Sequence, residues 1–204
     1  MFAEISSPLI LGSGSASRSA LLEAAGLIFE TDPAGIDEDA IRKVLTRDKG
    51  ARASDVADVL ARAKAETVSE RHPGALVIGA DQVLAAGDEL FEKPRNMEEA
   101  RRRLLALQGK THQLHTAIAL AREGKVRWGY IETTHLTMRA LTPEVIGEYL
   151  AAAGESVLQS VGAYQLETLG VHLFEEIKGD YFTILGLPML PLLAQLRREA
   201  GVAS

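Results

Sequence analysis

No cysteine occurs in the 204 residues, which excludes a disulfide framework, a thiolate nucleophile and any cysteine-based zinc site, and fits a reducing compartment. Aromatic residues make up only 5% of the chain, too few for a surface that stacks successive bases. Positive charge is also scarce. Lys and Arg number 22 against 28 Asp and Glu, a formal net charge of -6, whereas a protein that tracks a phosphate backbone carries a basic stripe. The densest basic run, Arg101-Arg102-Arg103, reads as the solvated face of a helix, so nucleic-acid binding is not expected. An acidic chain acting on a small polyanion must hold it with a local cluster of cations or a bridging metal. No uncharged apolar run reaches the length of a membrane span. No basic segment with a long apolar core opens the chain. A cytoplasmic protein with no membrane partner is therefore expected. With no obvious linker and ordinary apolar and charged fractions of 47% and 25%, residues 1–204 read as one domain with two lobes.

Pro8 to Gly12 reads as a short buried strand, turned by Ser13-Gly14-Ser15 into a helix that runs from Ser17 to Ala25 and stops at Gly26. Asp37, Glu38 and Asp39 read as an acidic loop. A helix is expected from Asp55 to Glu70, with Ser54 as its N-cap and Val56, Val59, Leu60 and Ala63 as its apolar stripe. Ala75 to Ala80 is apolar without alternation, as in a strand covered on both faces, and Asp81 follows at its carboxyl end. Val83 to Phe91, interrupted at Gly87-Asp88, reads as a hairpin, and Asn96 with Glu99 caps a helix running to Gln108. Strands are expected over 113–121 and 126–138, then a helix from Thr142-Pro143 to about Gly154, a strand over 171–177, and a final helix after Pro188 carrying Leu190, Leu192, Leu193 and Leu196.

Asp81 is the sharpest single residue, because an acid at the carboxyl end of a buried strand stands where open α/β sheets bind ligands; the alternative is an Asp that caps a turn. The Ser13 turn and the helix N-terminus behind it suit a phosphate, with Arg18 adding charge, and suit a plain N-cap equally well. Lys64 lies about 80° from Val56 on a helical wheel, at the edge of the buried stripe. There a lysine either snorkels to water or enters a cleft. Lys93 precedes Pro94 at a hairpin end. Glu38 becomes interesting only with Asp81, since two carboxylates supply oxygen ligands to a divalent cation. His112 and His115 point to opposite faces of one strand, which excludes their joining on a metal. Tyr164, Tyr181 and Phe182 read as packing residues. Gly12-x-Gly14-x-x-Ser17 imitates the dinucleotide fingerprint but has Ser at the third small position. No P-loop, zincin or nucleophile-elbow motif is present.

In order along the chain come Leu11-Gly-Ser-Gly-Ser-Ala-Ser-Arg18, Asp37-Glu38, Leu60-Ala-Arg-Ala-Lys64, Val77-Ile-Gly-Ala-Asp81-Gln82, Lys93-Pro94, Leu107-Gln-Gly-Lys-Thr-His112, Val161-Gly-Ala-Tyr164, Gly179-Asp-Tyr-Phe182 and Gly186-Leu-Pro188. This series resembles the Maf family of nucleoside triphosphate pyrophosphatases, the septum-formation-inhibitor-like proteins, over nearly the whole chain. The resemblance implies a mixed α/β sheet with flanking helices, two lobes around a cleft as in Maf and inosine-triphosphatase-like folds, and often a homodimer. It also implies a divalent metal, Mg or Mn, and a small-molecule nucleotide substrate. On the family pattern Asp81 is the proton acceptor, and Ser13, Arg18, Glu38, Lys64 and Lys93 fill the other recurrent positions, with Glu38 and Asp81 available to the metal. The implied reaction belongs to the hydrolases acting on acid anhydrides, splitting a nucleoside triphosphate into monophosphate and pyrophosphate in nucleotide-pool housecleaning.

Three positions bear on the base. Gln82 follows the branch acting on 7-methylguanosine triphosphate, where the thymidine- and uridine-preferring branch has Thr. Glu167 stands where the pyrimidine branch has Gln. Ser17 occupies a specificity-associated position that often carries Trp in the first branch. A nucleotide-binding regulator of division or septation with little turnover is the competing class; a dinucleotide-dependent oxidoreductase is a third.

Overall fold

The computed structural model describes residues 7–47 and 51–201; the reading of the chain's first residues as lacking a leader falls outside them. Along the chain run β1 (Leu9–Leu11), α1 (Ala16–Ala24), β2 (Glu30–Thr31), α2 (Glu38–Arg47), α3 (Ala53–Arg71), β3 (Leu76–Ala86), β4 (Glu89–Phe91), α4 (Met97–Leu107), β5 (Thr111–Arg122), β6 (Lys125–Met138), α5 (Pro143–Ala153), β7 (Phe174–Lys178), α6 (Tyr181–Ile184) and α7 (Met189–Glu199). The strands form a mixed seven-stranded sheet ordered β2-β1-β3-β5-β6-β7, with β4 beside β3. β1 is parallel to β2 and β3, whereas β4 and β7 run antiparallel to β3 and β6. A mixed α/β fold is what the sequence resemblance implied.

The chain forms two compact units. Unit 1 takes the described residues up to Asp81, then Thr116–Glu132 and those from Gly186 onward; unit 2 takes Gln82–His115 and Thr133–Leu185. In unit 1, Leu9, Leu11, Leu76, Ile78, Ile118 and Leu120 from the strands pack with Leu22 of α1 and Leu187, Met189, Leu192 and Leu196 at the start and along α7. In unit 2, Leu84, Leu114 and Leu136 pack with Leu104 and Leu107 of α4, Ile146 and Leu150 of α5, and Tyr164. Among the described residues no helix is long and apolar enough to cross a membrane.

The structure departs from the sequence expectations at several elements. The acidic stretch at Asp37 is not a loop: the Asp37 carboxylate accepts from the Ala40 amide and Glu38 and Asp39 occupy the first turn of α2, where the helix dipole favours acids. α3 begins earlier than expected, with the Arg52 amide donating to the Asp55 carboxylate, so Ser54 lies inside the helix rather than capping it. Val59 of the expected stripe is exposed. β3 does not stop before Asp81 but continues to Ala86, as its hairpin partner β4 holds the second half of the strand through Leu84↔Phe91 and Ala86↔Glu89. Residues Leu169–Leu173 form a 3-10 turn, and β7 begins only at Phe174. Tyr181, Phe182 and Leu190 are exposed rather than packed.

Candidate active site

Unit 1 builds the site by pressing α3 onto β3. Gly79 permits this, because a Cβ there would lie 2.2 Å from the Ala61 carbonyl oxygen and 2.6 Å from the Ala65 amide nitrogen. Those two residues flank Lys64 within one helical turn, so the same close approach carries the Lys64 side chain to the strand. Asp81, two residues beyond Gly79, faces the same way by strand alternation. The result is a buried contact: Lys64 Nζ lies 2.7 Å from Asp81 Oδ1, with Lys64 8% and Asp81 4% exposed. Of the two outcomes open to Lys64 from sequence, the buried one is realised.

Two residues of α2 complete a ring of alternating charge. Lys64 Nζ also meets Glu38 Oε1 at 2.8 Å, while an Arg42 guanidinium nitrogen faces the opposite oxygens, Asp81 Oδ2 at 3.4 Å and Glu38 Oε2 at 3.6 Å. Partial burial acts to raise the Glu38 carboxyl; the cations Lys64, Arg42 and Arg18 together outweigh it and hold the group below its ordinary value. Arg42 belongs to no motif in the sequence and was not singled out there. Its signal is the period of four from Glu38, legible only once 38–47 is known to be helical.

Arg18 ties neighbouring segments of unit 1 together. Its guanidinium donates to Ser13 Oγ at 2.9 Å, to the Ala80 carbonyl at 3.0 Å and to the Gly186 carbonyl at 3.1 Å, tying the turn before α1 to the strand residue that precedes Asp81. Desolvation draws Arg18 below the usual arginine value, with Asp81 and Glu38 opposing. Ser13, 8% exposed, also accepts from the Ser15 amide. Ser15 in turn caps α1 by accepting from the Arg18 amide, which is the N-cap alternative open from sequence.

The arrangement offers oxygen ligands from two carboxylates that already converge on one cationic atom, Lys64 Nζ. Lys64 fills the position between Oε1 and Oδ1, so Glu38 and Asp81 could hold a divalent cation through their other oxygens, Oε2 and Oδ2. Among the described residues no group of three His, Asp or Glu side chains gathers as a metal cage, and two carboxylates suit a Mg²⁺-type ion that keeps waters and substrate phosphates as its other ligands.

A family model described as Maf-like protein matches residues 8–199. The chain belongs to the Maf family. It is similar to a 7-methyl-GTP pyrophosphatase of Brucella abortus, with 56% identity over 191 residues, 94% of this chain and 96% of that protein. A protein of Mesorhizobium japonicum with the same name is 56% identical over 95% of this chain and 97% of its own length. A nucleoside triphosphate pyrophosphatase of Nitrobacter hamburgensis is 52% identical over 94% of each chain.

Of the Maf positions identified by sequence, unit 1 contains Ser13, Arg18, Glu38, Lys64 and Asp81, and Ser17 lies half-buried as the second residue of α1. Gln82, Lys93 and Glu167 belong to unit 2. The Gln82 amide nitrogen donates to the carbonyls of Thr183 and Ile184 at 3.2 and 3.1 Å, which fixes the orientation of its side chain. Lys93 and Glu167 are exposed. The loop before Lys93 is fastened by Arg103, which donates to the carbonyls of Glu92 and Val161 and lies 4.6 Å from the Phe91 ring centroid. Arg103 is thus a tether and not part of a solvated face. The Maf motif histidine His112 is a core residue bonded to the Tyr164 hydroxyl at 2.7 Å, and His115 instead meets Thr133, so the two do point apart as expected.

Proposed function

We propose that this chain hydrolyses a nucleoside triphosphate to nucleoside monophosphate and pyrophosphate, with 7-methyl-GTP as its preferred substrate. The observation that carries the reading is the buried Asp81 carboxylate on β3, held by Lys64, in a Maf chain whose relatives are named as pyrophosphatases. Asp81 takes the proton of the attacking water at Oδ2, the oxygen with the longer ion-pair contact. Lys64 keeps Oδ1 occupied and the carboxylate oriented. Arg18 fixes the strand and turn on which Asp81 and Ser13 stand. The amides at the start of α1 supply donors and a positive dipole end for a phosphate. A divalent ion, Mg²⁺ or Mn²⁺, held by Glu38 and Asp81 would neutralise phosphate charge and polarise the anhydride. On the family resemblance Gln82, whose amide nitrogen is held by the Thr183 and Ile184 carbonyls, reads the base, and Glu167 supports a methylated purine over a pyrimidine by accepting hydrogen bonds or facing the cationic ring. The same reading makes the protein a cytoplasmic housecleaner of the nucleotide pool.

The test is a panel of 7-methyl-GTP, GTP, dTTP and UTP with Mg²⁺ or Mn²⁺, each product resolved by chromatography. Highest kcat/KM on 7-methyl-GTP, with pyrophosphate as the co-product, is expected. A preference for dTTP or UTP would overturn the base assignment. Tight nucleotide binding without turnover would instead favour the regulator of septation.

A further inference from the structure

The ring of four charges in unit 1 is unequal. Lys64 is held at 2.7 and 2.8 Å by Asp81 Oδ1 and Glu38 Oε1, from a helix whose face toward β3 is buried. Arg42 stands off at 3.4 and 3.6 Å from Asp81 Oδ2 and Glu38 Oε2, on a helix with no buried residue. Lys64 is built in; Arg42 is lodged. The oxygens that Arg42 covers are the ones the proposed reaction needs, since Oδ1 and Oε1 already belong to Lys64. While Arg42 stays, the two carboxylates and two cations cancel, and the ring offers no net charge to a polyanion or to a divalent ion.

We infer that Arg42 is a substrate-binding residue that exchanges partners, covering Asp81 Oδ2 and Glu38 Oε2 in the free protein and turning onto the phosphates when nucleotide and metal arrive. The planar guanidinium matches phosphate oxygens in pairs. Its departure leaves the carboxylates with one cation instead of two, a net negative pair ready for a divalent ion, and adds one positive charge to the phosphate side. The inference rests on the pyrophosphatase reading above but is measurable without turnover.

Arg42→Met and Arg42→Lys are compared with the wild-type full chain, after circular dichroism confirms folding. Mn²⁺ binding to the nucleotide-free protein is followed by the electron paramagnetic resonance of free Mn²⁺, binding of a non-hydrolysable α,β-methylene nucleotide by calorimetry, and hydrolysis by steady-state kinetics. Arg42→Met is expected to bind Mn²⁺ several-fold more tightly and the analogue roughly tenfold more weakly, the loss of a charge-assisted hydrogen bond. The hydrolytic defect should fall mainly on KM, with partial rescue by Lys. Unchanged Mn²⁺ affinity, or a fall in kcat with analogue binding intact, would overturn partner exchange, the latter marking Arg42 as a mere prop for Asp81. If wild-type protein binds Mn²⁺ and analogue as described but hydrolyses nothing, the pyrophosphatase reading fails and the role of Arg42 in binding stands.

Discussion

Lys64 carries two obligations at once, since it is the buried counter-ion of Asp81 and the bridge from Asp81 to Glu38. Lys64→Met removes the short partner of a carboxylate that is only 4% exposed and leaves Asp81 and Glu38 with the longer contacts to Arg42. Breaking such a pair from one side costs about 3 kcal/mol or more. Urea unfolding at pH 7 should show that loss together with loss of hydrolysis; a change below about 1 kcal/mol would mean that the pair contributes little in its surroundings. His112 sets a different residue-scale expectation. Burial lowers its imidazole from 6.5 to about 4, so the folded protein keeps it neutral where the unfolded chain takes up a proton. Its contribution is fully present above about pH 6.5 and is lost progressively as pH falls to about 4, amounting to about 3 kcal/mol by linkage. Unfolding free energies of wild type and His112→Asn from pH 7 to pH 4.5 check this. The variant should lose much of the wild-type acid sensitivity, and parallel curves would assign that sensitivity elsewhere.

At the scale of elements, one glycine governs the site's assembly. Gly79→Ala places a methyl group 2.2 Å from the Ala61 carbonyl oxygen, a backbone atom that yields only if α3 withdraws from β3. Overpacking of this kind costs about 1–3 kcal/mol, and the withdrawal takes Lys64 away from Asp81. A lower melting temperature accompanied by lost activity is expected, and an unchanged melting temperature would show that the two elements do not depend on this contact. Local signals made most elements legible in the sequence. The Asn96–Glu99 cap, the Glu123-Gly124 turn with both residues at positive φ, and Thr142-Pro143 all act within a few residues. What sequence reading missed depended on partners remote in the chain or on competing local signals. The length of β3 past Asp81 is set by β4, and α2 was hidden because its acidic first turn looks like a solvated loop until the Asp37 cap is seen.

For the whole molecule, the pyrophosphatase reading requires an acidic chain to hold an acidic substrate with cations concentrated locally. The net charge of -6 coexists with Arg18, Arg42 and Lys64 gathered about Asp81 and Glu38 in unit 1. The order of short motifs made most of this cluster legible from sequence, because Ser13, Arg18, Glu38, Lys64 and Asp81 each sit in a family pattern. Arg42 was invisible there, since its only credential is a contact. The boundary between the units falls between Asp81 and Gln82, so the proposed proton acceptor and the proposed reader of the base are neighbours on β3 while belonging to different units.

The role of Asp81 as proton acceptor is measured by incubating 7-methyl-GTP and Mg²⁺ with the wild-type chain and with Asp81→Asn, both shown to be folded, and quantifying monophosphate and pyrophosphate. Equal amounts of the two products from the wild type and a fall of about 10²–10⁴-fold in the variant are predicted. Near-normal turnover by Asp81→Asn would remove Asp81 as the proton acceptor, and release of inorganic phosphate in place of pyrophosphate would rule out cleavage between the α and β phosphates.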